Sequence, residues 1–217
     1  MNRKAGDIGW LGIIGTIAAL LAIPSSRNRY EVIVGTHPYL SGFVKFAILA
    51  SMGELLVIRL KEGRWRRSTG FAAKGIAWGV IGVLITFMFR FYSLSVQALQ
   101  EAALLPAHDI PIAGAFFTSF FMNITFGFVF MTAHRISDVL IDYRIQNGGF
   151  APVHEMISRV DWPSFLLFIA KTVVLFWIPI HTLVFLLPPA YRILAAAALS
   201  IVLGLLLTLA GRASPRR

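Results

Sequence analysis

Residues 73–95 read AKGIAWGVIGVLITFMFRFYSLS, and this stretch decides the class of fold that the chain adopts. It is dominated by apolar side chains and carries charge only at Lys74 and Arg90, near its two ends. A helix of about 20 apolar residues crosses the hydrocarbon core of a bilayer, because each backbone N–H and C=O finds a partner within the helix. The stretch therefore predicts a membrane-spanning helix.

Further stretches of similar character predict the rest of the fold. The first is short for a span, so a re-entrant or interfacial helix is an open alternative there. We therefore predict an all-α fold, a polytopic transmembrane helical bundle of five to six spans, forming one membrane domain over residues 1–217. Residues 1–26 hold the short span or anchor. The other predicted spans are 8–22, 41–60, 112–134, 163–187 and 191–210.

The composition supports a membrane protein and excludes several classes of site. Hydrophobic residues make up 57% of the chain and charged residues 14%, whereas soluble proteins average about 25% charged residues. The chain has no cysteine. This excludes disulfides, thiolate metal sites and cysteine nucleophiles, and no cofactor is expected.

The net charge of +10 is explained by membrane topology. Lysine and arginine are concentrated in residues 61–74, in residues 135–159 and at the carboxyl end, whereas residues 97–110 contain none. Basic loops face the cytoplasm, so six spans place both termini there. We predict a multi-pass protein of the cell inner membrane, with an organellar membrane as the alternative. The lipid bilayer is the expected partner, and nucleic acid is not.

The linker from Arg135 to Asp161 is the polar stretch between spans with room for structure, and its second part comprises residues 145–161. Gly148 and Gly149 are expected to end the preceding helix. Apolar residues then recur at helical spacing, as in helices that lie on a membrane surface. The linker is therefore predicted to contain a short interfacial helix, with its apolar face formed by Val153, Met156, Ile157 and Val160.

Small residues recur every three or four positions in two spans. Such stripes let helix backbones approach closely in a membrane, where lipid gives helices no hydrophobic reason to associate. The stripes predict helix packing at Gly75, Gly79, Gly82, Ala196, Ser200 and Gly204.

Charged and polar residues inside the predicted spans are the candidates for function. An ionisable group at membrane depth costs roughly 2.5–3.5 kcal/mol on insertion scales and is retained where it faces a partner or a polar cavity. Glu54 and Lys171 lie at similar depths and are predicted to face each other. The predicted polar interior comprises Glu54, Arg90, Ser119, Asn123, Lys171 and His181. Lys45 and Arg59 are expected to extend to the interface.

A weaker pattern lies at the membrane surface. His134, Asp138 and Asp142 are spaced by four residues and share one helical face. They are weak candidates for a metal site or an acid–base pair, and salt bridges to nearby arginines explain the same spacing. No metal is predicted, and the chain is not expected to be an enzyme.

Several stretches together resemble a known family. They are His37-Pro38, Gly53-Glu54, Arg90-Phe91-Tyr92 and the run FLLPPAYR at residues 185–192. This pattern is similar to the family of the 22-kilodalton peroxisomal membrane protein and its mitochondrial inner-membrane relatives, of which the chain would be a bacterial-type member. The likeness covers residues 36–211, although the family usually has aspartate at the position of Glu54. It implies a small helical bundle that forms a weakly selective channel.

Three hypotheses of function follow. The first is a channel or pore that transports small solutes or ions, with the polar interior lining it. The second is a structural or assembly protein whose buried charges only fix helix register. The third is an interfacial enzyme that uses His134, Asp138 and Asp142. A homo-oligomer is compatible with each of them.

Overall fold

The computed structural model describes residues 3–213, with side chains up to residue 206 and at Thr208. Over these residues the chain is all-α, as predicted. The predicted basic tail at Arg216 and Arg217 lies outside the described residues. The helices are α1 (Arg3–Ala22), α2 (Pro24–Thr36), α3 (Pro38–Glu62), α4 (Phe71–Glu101), α5 (Pro111–Met122), α6 (Phe128–Asn147), α7 (Val153–Ser158), α8 (Trp162–Thr172), α9 (Ile178–Leu186) and α10 (Pro189–Ala213).

Five helical stretches in the described part of the chain are long and apolar enough to cross a membrane. The chain is thus a multi-pass helical membrane protein, and the predicted number of five to six spans is met at its lower end. The predicted span at residues 41–60 falls in α3, which is not one of the five and carries five charged side chains. The five are Arg3–Ala22, Phe71–Glu101, Pro111–Asn147, Trp162–Leu186 and Pro189–Leu206.

Proline and glycine set most of the helix boundaries. Pro24, Pro38 and Pro111 each stand at the start of a helix, where the missing N–H has no intrahelical partner to lose. Gly63 and Gly148 end α3 and α6 in the left-handed conformation, with φ of 71° and 75°. This conformation costs glycine little because it has no Cβ, and the predicted stop at Gly148 is therefore confirmed.

The chain divides into two compact units, and the boundaries fall within α4 and α10. Unit 1 comprises Met1–Val83 and Ala197–Arg217. Within it, α3 packs tightly on both neighbouring helices. A Cβ on Gly82 of α4 would lie 2.4 Å from the Gly42 carbonyl oxygen, and a Cβ on Gly53 would lie 3.2 Å from the Ser200 backbone of α10.

Unit 2 comprises Leu84–Ala196 and contains the linker helix. Its apolar core is built around Ile169, Val173 and Ile178, against which aromatic side chains pack. The predicted short helix of the linker is present as α7. Within α7, the hydrogen bond from Arg159 at the end of the helix holds the pKa of the Glu155 carboxyl below its ordinary value. Asp161 then caps α8 by accepting from the Ser164 amide at 3.3 Å.

Candidate functional site

Two wide helical turns lie in contact within unit 2. Between α5 and α6 the helix adopts π-helical geometry at Asn123–Gly127, and between α8 and α9 it does so at Val173–Trp177. The second turn is followed by Pro179, which has no backbone N–H to donate. Single π-helical turns inside α-helices are rare and occur frequently at functional sites. Residues in and beside these turns form the candidate site.

A buried polar network joins α5 to α9 through three predicted residues. Asn123 approaches His181, with its amide nitrogen 3.2 Å and its amide oxygen 3.3 Å from the imidazole Nδ1. The amide nitrogen of Asn123 also donates to the Ser119 carbonyl at 2.8 Å. Ser119 is fully buried, and its hydroxyl donates to the Ile178 carbonyl at 2.8 Å. Ser119, Asn123 and His181 therefore come together, and Thr182 adds a second hydroxyl bond to Ile178.

Aromatic side chains enclose the imidazole. Trp177 stacks on His181 with 5.1 Å between ring centroids, and Phe89 meets the imidazole edge-on at 5.5 Å. Phe89 also contacts Phe185 at 4.7 Å. The indole nitrogen of Trp177 is buried without a hydrogen-bond partner in the described part of the chain. An unpaired buried donor costs free energy, so a water molecule or polar solute that accepts a hydrogen bond from this nitrogen would be stabilised.

A cavity of about 300 Å³ lies one helical turn from this network, at the end of unit 2 where α9 meets α10. Its lining contains one charged residue, Arg192, and no carboxylate. The Arg192 Nε donates to the Leu187 carbonyl at 2.8 Å, and its guanidinium lies 5.7 Å from the Phe185 ring centre. The other polar side chains of the lining are Ser93, Gln97, Gln100 and Thr118.

Gln100 ties the turn between α4 and α5 to the cavity wall. Its amide nitrogen donates to the Pro106 and Ala107 carbonyls at 3.1 and 3.2 Å. Ala103 and Ala107 in this turn have φ of 56° and 61°, a left-handed geometry unusual for alanine. The sequence prediction missed this part of the site because it ended the span at residue 95, whereas α4 continues to Glu101. Polar residues spaced at 93, 97 and 100 on one helical face were the available signal.

The predicted polar residues Arg90 and Lys171 do not join the network. Both side chains are exposed on unit 2. Glu54 lies in unit 1, where its carboxylate accepts a hydrogen bond from the Trp78 indole at 2.7 Å. Because Glu54 and Lys171 belong to different units, their predicted pairing stays a prediction.

Two cations of unit 1 have partners within the unit. Lys45 does not extend to the interface: it is buried, and its ammonium lies 4.8 Å from the Tyr30 ring centre. Arg59 instead forms a two-point ion pair with Asp7, with both nitrogen–oxygen distances at 3.0 Å. The Trp65 indole donates to the same carboxylate at 2.8 Å. The prediction of an extended side chain at Lys45 was wrong, because this side chain is buried against Tyr30. The prediction for Arg59 stays a prediction, since its ion pair with Asp7 leaves both side chains partly exposed.

The predicted packing residues lie where helices are close. A Cβ on Gly79 would lie 2.5 Å from the Phe43 ring, and one on Gly204 would lie 2.8 Å from Val57. A Cβ on Gly75 would lie 3.3 Å from the Ser51 hydroxyl. The hydroxyl of Ser200 donates to the Ala197 carbonyl at 2.7 Å. Ala196 and Gly82 are buried.

The weak metal candidates do not form a site. His134 Nε2 lies 3.7 Å from an Asp138 carboxylate oxygen, a separation of ion-pair type. Among the residues that the structure describes, no group of three or more His, Asp or Glu side chains is arranged to hold a metal ion. His134, Asp138 and Asp142 are thus a helical row of polar residues, because spacing by four residues aligns side chains without making them converge.

No family model, curated protein or solved structure matches this chain. The resemblance to the peroxisomal membrane protein family accordingly stays a prediction, and function is argued from the geometry of unit 2.

Proposed function

We propose that unit 2 forms a gated path for small solutes across the membrane. The observation that carries the proposal is the order of three features within unit 2, on α4, α5 and α9. These are a polar cavity, a pair of phenylalanines, and a buried polar network. In this proposal the cavity is the entrance, Phe89 and Phe185 are the closed gate, and Asn123 and His181 are the polar site behind it.

The two phenylalanines have the properties of a hydrophobic gate. Phe185 lines the cavity and contacts Phe89, which in turn contacts the His181 ring. Both phenylalanines are buried, at 4% and 5% exposure. Hydrophobic constrictions close a path by excluding water. In this proposal, rotation of one of the two rings opens the path.

The unpaired Trp177 indole supports a wet state of the network. A buried donor without a partner favours any conformation in which water or solute reaches it. In a purely structural network we would expect its donors to be paired, because hydrocarbon offers no alternative acceptor. The structural and assembly hypothesis explains the Ser119, Asn123 and His181 bonds equally well, but it gives the cavity no role.

Topology and location are part of the proposal. The stretch at residues 135–159, which carries Arg135, Arg144 and Arg159, would face the cytoplasm. The turn between α4 and α5, which has no lysine or arginine, would face the opposite side. The cavity beside this turn would then open away from the cytoplasm. The cell inner membrane is the proposed location. In this proposal α3 crosses the membrane as a sixth span beside the five apolar ones, which places both termini in the cytoplasm.

The first test is solute flux through liposomes that contain the purified chain. Phe185→Ala should raise the flux of small polar solutes at least several-fold, because the gate loses one ring. Removing a buried Phe costs about 3–5 kcal/mol of stability in soluble cores, so Phe185→Leu serves as a milder variant that should raise flux less. Phe87→Ala is the matched control, since Phe87 lies on the same helix as Phe89 but is 49% exposed.

Two results would contradict the gate. One is a solute flux through the wild type and the Phe185 variants that equals the flux through empty liposomes. The other is an equal rise in flux for Phe185→Ala and Phe87→Ala, which would indicate a leak from general loosening.

A further inference from the structure

We infer that the cavity at Arg192 is a binding site for a phosphate group, carried either by a small solute or by a lipid headgroup. This inference deepens the proposed function by naming the class of solute that enters the cavity. It rests on the proposed function only for the passage of that solute from the cavity across the membrane. The binding site itself depends on the cavity alone.

The charge of the lining selects an anion. Arg192 is the one charged side chain among the lining residues, and Glu101, which follows Gln100 of the lining, lies outside it. Glu101 is also engaged by the Gln97 amide at 2.8 Å. No ion pair between Arg192 and an acidic residue is formed in the described part of the chain. The cavity therefore carries an uncompensated positive charge.

The position of the guanidinium leaves its outer nitrogens for a ligand. The Nε bond to the Leu187 carbonyl fixes the plane of the group at the carboxyl end of α9. The two terminal nitrogens donate to no acceptor among the described residues of unit 2, and they form the fork that matches phosphate oxygens. The Phe185 ring beneath the guanidinium supports it from the apolar side.

The remaining donors favour a tetrahedral ligand over a planar carboxylate. Ser93 reaches the same space from α4, whereas Arg192 reaches it from the start of α10. Donors on two helices approach from different directions, which suits the oxygens of a phosphate better than two coplanar oxygens. The volume of about 300 Å³ is at the lower end for ligand pockets and admits a phosphate with a small organic group.

Binding is tested on the full chain in detergent, where no transport is needed. Inorganic phosphate is titrated by calorimetry, and retained phosphatidylglycerol is counted by native mass spectrometry. Arg192→Gln should weaken phosphate binding at least tenfold or remove the retained lipid. Arg90→Gln is the matched control, because Arg90 is an exposed arginine of the same unit, and it should bind like the wild type.

A second variant protects the test against misfolding of Arg192→Gln. Gly114 lines the cavity, and a Cβ there would already lie 3.1 Å from the Gln100 side-chain oxygen. Gly114→Leu should fill the cavity and abolish binding while leaving the Arg192–Leu187 bond in place.

Each outcome has a distinct meaning. Phosphate binding that depends on Arg192 assigns a solute site, and phosphatidylglycerol retention that depends on Arg192 assigns a headgroup site. Equal binding of both ligands by the wild type, Arg192→Gln and Gly114→Leu overturns the inference. Arg192-dependent binding without solute flux supports the phosphate site and contradicts the proposed gated path. Solute flux without Arg192-dependent binding contradicts the phosphate site alone.

Discussion

At the scale of single residues, Asn123 is the side chain on which the candidate site depends most. It lies in the π-helical turn that follows α5, approaches His181 of α9 and donates back to the Ser119 carbonyl of α5. Interhelical hydrogen bonds in membrane proteins contribute about 0.6 kcal/mol on average and up to about 1.7. Removing one partner adds the cost of an unpaired buried group.

We therefore expect Asn123→Leu to lower the free energy of unfolding by about 1–2 kcal/mol. Unfolding by sodium dodecyl sulfate in mixed micelles measures this change. Asn147→Leu is the control, because Asn147 is exposed and bonds only within its own helix. Equal destabilisation by the two variants would show that the Asn123–His181 contact contributes nothing.

Residues of unit 1 show what a single sequence reveals about charges. The expectation that a charge inside a span seeks a partner is met by Glu54, which accepts from Trp78. The partners themselves were not predicted. Asp7 and Trp65 lie 52 and 58 positions from the residues that they contact, and local spacing carries no information on such distances.

At the scale of elements, α3 and α4 depend on the absence of side chains where they cross. A Cβ on Gly82 would lie 2.4 Å from the Gly42 carbonyl oxygen and 2.7 Å from the Phe46 Cβ. These atoms belong to backbone and to a Cβ, so they cannot rotate away. An added methyl group must push the helices apart.

Gly82→Ala is thus expected to destabilise the chain by about 1–3 kcal/mol, the usual range for overpacking. The same measurement on Gly12→Ala should give no loss, because nothing lies within 4 Å of a Cβ at Gly12. An unfolding midpoint of Gly82→Ala equal to that of the wild type would contradict the close packing of α3 against α4.

The elements also show where sequence patterns were sufficient. The apolar stretches, the small-residue stripe at Gly79 and Gly82, and the glycine stop at Gly148 were read from composition and spacing. The helix α2 was not, because residues 24–36 have no apolar run long enough to indicate a span. The π-helical turns beside Asn123 and Trp177 were missed as well, since a wide turn is set by contact with another helix and leaves no periodic signal.

At the scale of the whole molecule, the distribution of basic residues makes a topological prediction. The chain has no cysteine, so single cysteines report their own exposure without background. Leu104 is in the turn before α5, and Gly149 is in the linker after α6. Both positions are exposed.

A membrane-impermeant maleimide applied to intact cells should label Leu104→Cys and leave Gly149→Cys unlabelled. Inverted membrane vesicles should give the opposite result. Labelling of Gly149→Cys in intact cells would reverse the proposed orientation, and with it the side on which the cavity opens.

The turn held by Gln100 has a consequence for how the cavity mouth changes shape. Ala103 and Ala107 adopt backbone angles that cost an alanine roughly 1–3 kcal/mol each. The Gln100 side-chain amide donates to the carbonyls of Pro106 and Ala107. The turn at the cavity mouth therefore holds two strained alanines in place through the Gln100 hydrogen bonds. If the Gln100 amide released these carbonyls, both alanines could return to ordinary backbone geometry. The turn between α4 and α5 would then change shape by rotation of its peptide groups, without movement of the helices.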